Sequence, residues 1–427
     1  MKLNYKRTFF VGLAFLSICA FWQMYDNIVP LMLKNTFGMG ETLTGVILAL
    51  DNVLALFLLP LVGAFSDKVH TPIGKRTPFI IIGTAVAVIS MTYLPIADQK
   101  GNLIMFIVFL GIVLVAMGCY RSPAVALMPD LTPKPLRSMA NAVINLMGAI
   151  GGVYTLIMIK ILVTEGNHNY SPIFLSISAI MVIAVIILII TIRENKLAKV
   201  TVIEAHEDEV KIEDTTQENE QKGMPKDVKK SFILLLASIF LWFTAYNAVT
   251  SAYSRYAEEV WHLKAGGFAD SLLVATIAAI ISYIPIGIIA SKIGRKKTII
   301  AGIIFMTASY LCGALFTQYS SLINVVFAFT GIGWAAISVN SYPMVVEMCK
   351  GSDIGKYTGV YYTFSMSAQI MTPIVSGALL EHVSYRTLFP YAVFFSVASL
   401  CTMLFVKHGD SRPLKKSSAL ENFDTAD

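Results

Sequence analysis

Apolar runs dominate this chain, and short polar stretches punctuate them. A helix needs roughly 20 mainly apolar residues to cross the hydrocarbon core of a bilayer. About twelve runs of that length follow one another, centred near Phe21, Leu54, Val88, Val113, Gly151, Val182, Trp242, Ala278, Thr307, Phe329, Ala368 and Val397. The pattern predicts an all-α membrane protein of twelve transmembrane helices. The first run follows Lys2, Lys6 and Arg7 in the manner of a signal peptide, but it continues through Pro30 to Leu33 without a cleavage pattern and reads as the first helix. Prolines inside the runs, among them Pro30, Pro60, Pro123, Pro285, Pro343 and Pro373, are tolerated where neighbouring helices satisfy the freed backbone groups.

One stretch breaks the pattern. Residues 194–230 pass through Glu204, Glu207, Asp208, Glu209, Glu213, Asp214, Glu218 and Glu220 with almost no aromatic residues, and they read as a solvated, disordered cytoplasmic linker. The linker divides the helices six and six: an N-terminal bundle over 1–193, a C-terminal bundle over 231–408, and a cytoplasmic tail over 409–427. Composition agrees, because a chain of 427 residues that is 56% hydrophobic and 14% charged exposes more apolar surface than a water-soluble fold can hide.

Lys and Arg concentrate in cytoplasmic loops. Placing both termini in the cytoplasm puts about 26 of the 33 basic residues on that side. Lys34, Lys100, Arg255, Lys264 and Arg386 remain outside, with Arg121 and Lys160 inside helices. The formal charge of +6 is then a topogenic signal and a match to anionic headgroups in the plasma (cytoplasmic) membrane, not a nucleic-acid patch. The five cysteines are scattered, with no CxxC pair, and imply neither a disulfide framework nor a metal site.

The halves resemble each other. Phe21-Trp22-Gln23-Met24-Tyr25-Asp26-Asn27-Ile28-Val29 aligns with Leu241-Trp242-Phe243-Thr244-Ala245-Tyr246-Asn247-Ala248-Val249, sharing Trp, Asn and Val. Gly63, Asp67 and Lys68 followed by Gly74, Lys75 and Arg76 align with Gly287, Ser291 and Lys292 followed by Gly294, Arg295 and Lys296 at nearly the same offset, as a duplicated six-helix unit requires. These basic turns resemble the signature loop of the major facilitator superfamily, which implies two pseudo-symmetric six-helix bundles. The first copy, Ser66-Asp67-Lys68-Val69-His70-Thr71-Pro72-Ile73-Gly74-Lys75-Arg76-Thr77-Pro78-Phe79-Ile80, is similar to the branch of sucrose and other glycoside:cation symporters. Physically, Gly63 lets helix 2 pack closely on a neighbour, and Asp67 can face a helix dipole or a cation across the bundle interface. Together they form a cytoplasmic gate of Gly63, Asp67, Gly74, Lys75 and Arg76. Asp130 and Glu347, near the ends of helices 4 and 10, are further gate partners, with Arg137, Arg295 and Lys356 close by. The bland reading is that the basic turns only anchor topology and that these acids are hydrated helix ends.

Charges inside a membrane span are costly and normally face a protein interior or a watery path. Here Asp26 lies in helix 1, Asp51 in helix 2, Arg121 in helix 4 and Lys160 toward the end of helix 5. The resemblance implies that helices 1, 4, 7 and 10 surround a central cavity, where Asp26 and Arg121 could meet. Burial favours a neutral carboxyl and a neighbouring guanidinium favours an ionised one, so Asp26, Asp51 and Arg121 are the proton-coupling candidates. The bland alternative is a fixed ion pair. Melibiose-type sodium symporters also resemble the chain around helix 2 and Tyr120-Arg121-Ser122-Pro123, but they use a cluster of carboxylates. Ala55 and Leu59 follow Asp51 here, and Arg121 stands where that branch places an acid, so the proton leads over sodium.

Trp22, Tyr25, Tyr120, Trp242, Tyr246 and Trp334 offer flat rings on the expected cavity helices, and Gln23, Asn27, Asn247 and Asn340 offer amides. They are the candidate solute-binding residues, although aromatics also form headgroup belts and fill helix interfaces. The expected function is proton-coupled symport of a sugar or glycoside by alternating access, by a monomer without a cofactor. Arg121 and Lys160 keep an organic-anion carrier open, the scaffold also suits a hydrophobic drug exporter, and a non-transporting sensor stands as the reading from another class. Gly74-Lys75 lacks the spacing of a phosphate loop, and no HExxH or nucleophile motif is present, so ATP-driven pumping and enzymatic hydrolysis are not expected.

Overall fold

The computed structural model describes residues 3–132, 137–163, 169–197, 225–263, 266–348 and 354–409. Twelve helices are long and apolar enough to cross a membrane. They are α1 (Tyr5–Asn35), α2 (Glu41–Lys68), α3 (Thr77–Gln99), α4 (Leu103–Asp130), α5 (Arg137–Leu162) and α6 (Ser171–Thr191), then α7 (Lys226–Trp261), α8 (Ala269–Ile293), α9 (Arg295–Leu315), α10 (Leu322–Glu347), α11 (Ile354–His382) and α12 (Leu388–Leu404). The even number places the start of α1 and the end of α12 at one end of the molecule, the terminal end; the other is the far end.

Local chemistry sets many of the helix ends. Asn4 and Asn102 accept from the backbone N–H of Arg7 and Met105, each at 3.0 Å, and so cap α1 and α4. Pro78 and Pro172 sit in the first turns of α3 and α6, where their missing N–H costs nothing. Pro30, Pro60, Pro123, Pro285, Pro343 and Pro373 lie within continuous helices. Ile104 is 78% exposed, Leu315 75% and Ile190 72%, an outer surface that only lipid can solvate.

In the N-terminal bundle α1 packs on α5 and α6, and α3 on α4 and α6. In the C-terminal bundle α7 packs on α11 and α12, and α9 and α8 on α10. The bundles meet along α2 with α11 and α5 with α8, two seams that exchange under the repeat. Two segments read as linker are helical. Glu194–Leu197 form a turn that folds back on the N-terminal bundle, with Glu194 buried, and Lys226–Lys230 open α7. Residues 198–224 and 410–427, and with them most of the expected linker and tail, lie outside the described residues.

Candidate functional site

The central cavity has a volume of about 270 Å³ and lies between the bundles, walled by α1 and α5 on one side and α7, α8, α9 and α10 on the other. Gln23, Asp26 and Asn27 come from α1; Tyr246, Asn247 and Thr250 from α7; Tyr283 from α8; Tyr310 from α9; Thr330 and Trp334 from α10. A period of 3.6 puts Gln23, Asp26 and Asn27, and likewise Tyr246, Asn247 and Thr250, on one helix face. Asp26 is the only ionisable acid or base among the described lining residues, apart from the tyrosines.

Asn27 and Asn247 occupy the same place in the two repeats, and both reach this cavity. Asn27 donates its Nδ2 to the Gln23 carbonyl at 2.8 Å. Among the described residues, Asn27 Oδ1, Asn247 Nδ2 and Tyr310 OH are buried without a hydrogen-bond partner. A polar atom in that state costs free energy unless something in the cavity satisfies it. Trp334 stacks on Tyr246, with ring centroids 3.8 Å apart and planes 9° apart, making a flat aromatic wall.

Half of the ten expected solute contacts therefore line the cavity: Gln23, Asn27, Tyr246, Asn247 and Trp334. The other half do not. Tyr120 is fully buried at the α1–α4 contact, its hydroxyl 2.5 Å from Ser17 Oγ and donating to the Ala14 carbonyl at 3.1 Å. Tyr25 donates to the Ile47 carbonyl at 3.1 Å and ties α1 to α2. Trp242 is buried in the core, and Asn340 bonds the Ala336 carbonyl of its own helix at 2.9 Å. Trp22 packs edge-on against Phe21 and Tyr25. Bulk and polarity named these residues, but the rotational phase of each helix turned them into the protein.

The expected meeting of Asp26 with Arg121 does not occur. Among the described residues Asp26 and Arg121 form no ion pair or hydrogen bond with each other, and Asp26 lines the cavity where Arg121 does not. Asp51 accepts from Asn52 Nδ2 at 2.8 Å. Arg121 makes no ion pair or hydrogen bond among the described residues, and Lys160, 54% exposed, pairs with Asp270 at 2.6 Å at the far end. Neither cation lines the cavity, so the pair that kept an organic anion open is absent from it.

At the terminal end the gate residues assemble within each bundle. Arg76, only 4% exposed, binds Asp130 at 2.9 Å, Asp67, Ser66 Oγ and the Gly63 carbonyl, and Lys75 reaches Asp130 at 3.0 Å and Asp67 at 3.8 Å. Among the described residues Asp67 thus pairs inside its own bundle and not across the interface. Arg295 pairs with Glu347 in the second copy. The side chains of Arg137, Ser291 and Lys356 lie outside the described residues.

Sequence reasoning missed Glu194 by assigning it to the linker. Its carboxylate accepts from the backbone N–H groups of Lys75, Arg76 and Thr77 at 2.9–3.1 Å and from the Thr77 hydroxyl at 2.7 Å, capping α3 from the end of α6. Gly74 makes the approach possible: its φ is +128°, and a Cβ there would strike the Glu194 carboxylate. Glu194→Ala is expected to cost about 2–3 kcal/mol, since charged hydrogen bonds to buried donors are lost, and to lower the unfolding temperature of purified protein. Unchanged thermal stability would show that this cap does not stabilise α3.

The chain matches the Major Facilitator Superfamily model over residues 11–282 and 261–424. It belongs to that superfamily and is a multi-pass membrane transporter of that type. Over 394 residues, 90% of both chains, it is 25% identical to an uncharacterized MFS-type transporter of Methanocaldococcus jannaschii. A sucrose transport protein of Arabidopsis thaliana is 27% identical over 137 residues, 28% of this chain and 23% of that one. Among solved structures, a POT family transporter in complex with 5-aminolevulinic acid superposes with a TM-score of 0.69, covering 94% of this chain and 95% of that chain at 12% identity, a likeness of fold.

Proposed function

We propose that this protein is a proton-coupled symporter of a sugar, working by alternating access, with the central cavity as the solute site and Asp26 as the group that carries the proton. The observation that supports this most directly is the position of Asp26: among the described residues it is the one carboxyl in the cavity wall, at the seam between two repeats and beside amide and hydroxyl groups that have no partner there. A carboxyl so placed can trade a proton against hydrogen bonds to the solute, so that occupancy by one influences the other.

The lining suits a neutral ring. Asn27, Asn247 and Tyr310 supply the acceptor and donors that sugar hydroxyls need, and the Tyr246–Trp334 wall suits the apolar face of a pyranose. A volume of 270 Å³ lies just under the roughly 300–1,000 Å³ of pockets for drug-sized ligands, which favours one sugar ring at the site. The sucrose-transporter likeness supports the same class, although it spans only 28% of the chain. Lysine and arginine bias supports cytoplasmic termini, and with that orientation the cross-bundle contacts at the far end support an inward-facing arrangement.

Proteoliposomes carrying a trapped pH dye test the proposal. Acidification of the lumen should follow external addition of monosaccharides, sucrose or maltose, and should be absent without sugar. Folded protein that responds to no sugar but acidifies or alkalinises with organic anions or hydrophobic amines would overturn the sugar assignment while leaving proton coupling in place.

A further inference from the structure

The bundles are held together at the far end by residues that no motif marks. Glu41 opens α2 and is 3% exposed; Arg255 lies near the end of α7 and is 2% exposed. Arg255 Nε donates to Glu41 Oε2 at 2.5 Å, Tyr385 donates its hydroxyl to Glu41 Oε1 at 2.6 Å, and Arg255 Nη1 reaches the Ser251 carbonyl at 2.8 Å. Around this buried centre, Lys34 of α1 pairs with Glu259 of α7 at 2.5 Å and sits 4.6 Å from the Tyr385 ring centroid.

The start of α2 is unusual. Its N-cap is Gly40, which has no side chain to cap the helix. The acceptor comes instead from the other bundle: Glu381, at the end of α11, takes the backbone N–H of Thr42 at 2.7 Å. Gly40 has φ −65° and ψ 158°, a conformation open to any residue, so backbone geometry does not demand glycine. A Cβ at Gly40 would instead meet the Glu381 carboxylate and push it off the helix end.

We infer that Glu381 and the Glu41–Arg255–Tyr385 centre form the far-end gate, in which α2 of one bundle is capped in trans by α11 of the other. The inference rests on the alternating-access reading above. When the bundles part at this end, α2 loses its cap and Glu41 and Arg255 return to water. When they close, one carboxylate restores the cap and the other is buried against its guanidinium. Closure is thereby written into the free energy of a helix terminus, and the register is unique because only one seating places both carboxylates.

The test reads conformation and not transport. In protein with its five cysteines changed to serine, Thr250→Cys in the cavity wall is labelled by a membrane-impermeant maleimide added from the side opposite the termini. Glu381→Ala should raise the labelling rate about fivefold, the equivalent of one lost helix cap. Gly40→Ser, which supplies a cap in cis and displaces Glu381, should do the same, whereas Glu381→Gln keeps an acceptor oxygen and should stay near the parent rate. Unchanged labelling in both Glu381→Ala and Gly40→Ser, in monodisperse protein, would overturn the inference, as would equal acceleration by Glu381→Gln and Glu381→Ala. Failure of sugar to acidify proteoliposomes leaves this measurement untouched.

Discussion

Asp26→Asn is expected to abolish solute-driven acidification of proteoliposomes while leaving exchange of solute across the membrane intact. Asparagine keeps the shape and one acceptor oxygen of the cavity wall but cannot take up a proton. Solute can therefore still bind and be counterflowed between the two faces, whereas net uphill movement driven by a pH gradient falls to background. Asp51→Asn should reduce uptake less, because Asp51 is absent from the cavity lining and its own hydrogen bond from Asn52 survives in part with an amide. The paired readout separates the roles: loss of counterflow together with coupling in Asp26→Asn would make Asp26 a solute-binding or structural group and not the proton carrier.

The second large effect is expected at the crossing of α2 and α11. Gly45 faces the carbonyl of Pro373 so closely that a Cβ would overlap its oxygen, and Gly377 faces the backbone of Glu41 in the same way. Two helices meet there through bare backbone, as small residues permit in membranes. The obstructing atoms belong to main chain, so a neighbour cannot swing aside to make room. Gly45→Leu should hold the far end apart. Uptake and counterflow should both fall to background, while the Thr250→Cys probe becomes open to impermeant reagent from the far side. Uptake near the parent level in Gly45→Leu would show that the bundles need not close along this seam.

How much of the site was legible depended on what kind of signal each residue leaves. Asp26 was visible as a charge inside an apolar run, and Asn27 and Asn247 as a match between repeats. Lys75, Arg76 and Asp67 were visible as a motif, although their pairing inside one bundle was not. The orientation rule leaves Arg255 outside the spans, yet α7 continues to Trp261 and carries it into the protein. Glu194 was hidden by its neighbours: an acid beside an acidic stretch looks solvated until α6 is seen to deliver it to the start of α3. Tyr120 shows the reverse error, since an aromatic on a cavity helix lines the cavity only if the helix is turned that way.

The sequence by itself determined the solvent, the twelve spans, their six-and-six division and the duplicated plan, because each follows from local hydropathy or from comparison of one half with the other. Tertiary structure alone decided which face of each helix meets the cavity, which acid meets which base, and which glycines touch backbone. Those depend on helix rotation and on contacts between residues distant in sequence, as far as 119 positions for Lys75 with Glu194 and 344 for Glu41 with Tyr385. Hydropathy within a span carries little of that information in a lipid solvent, where a side chain facing lipid and one facing the core can be equally apolar.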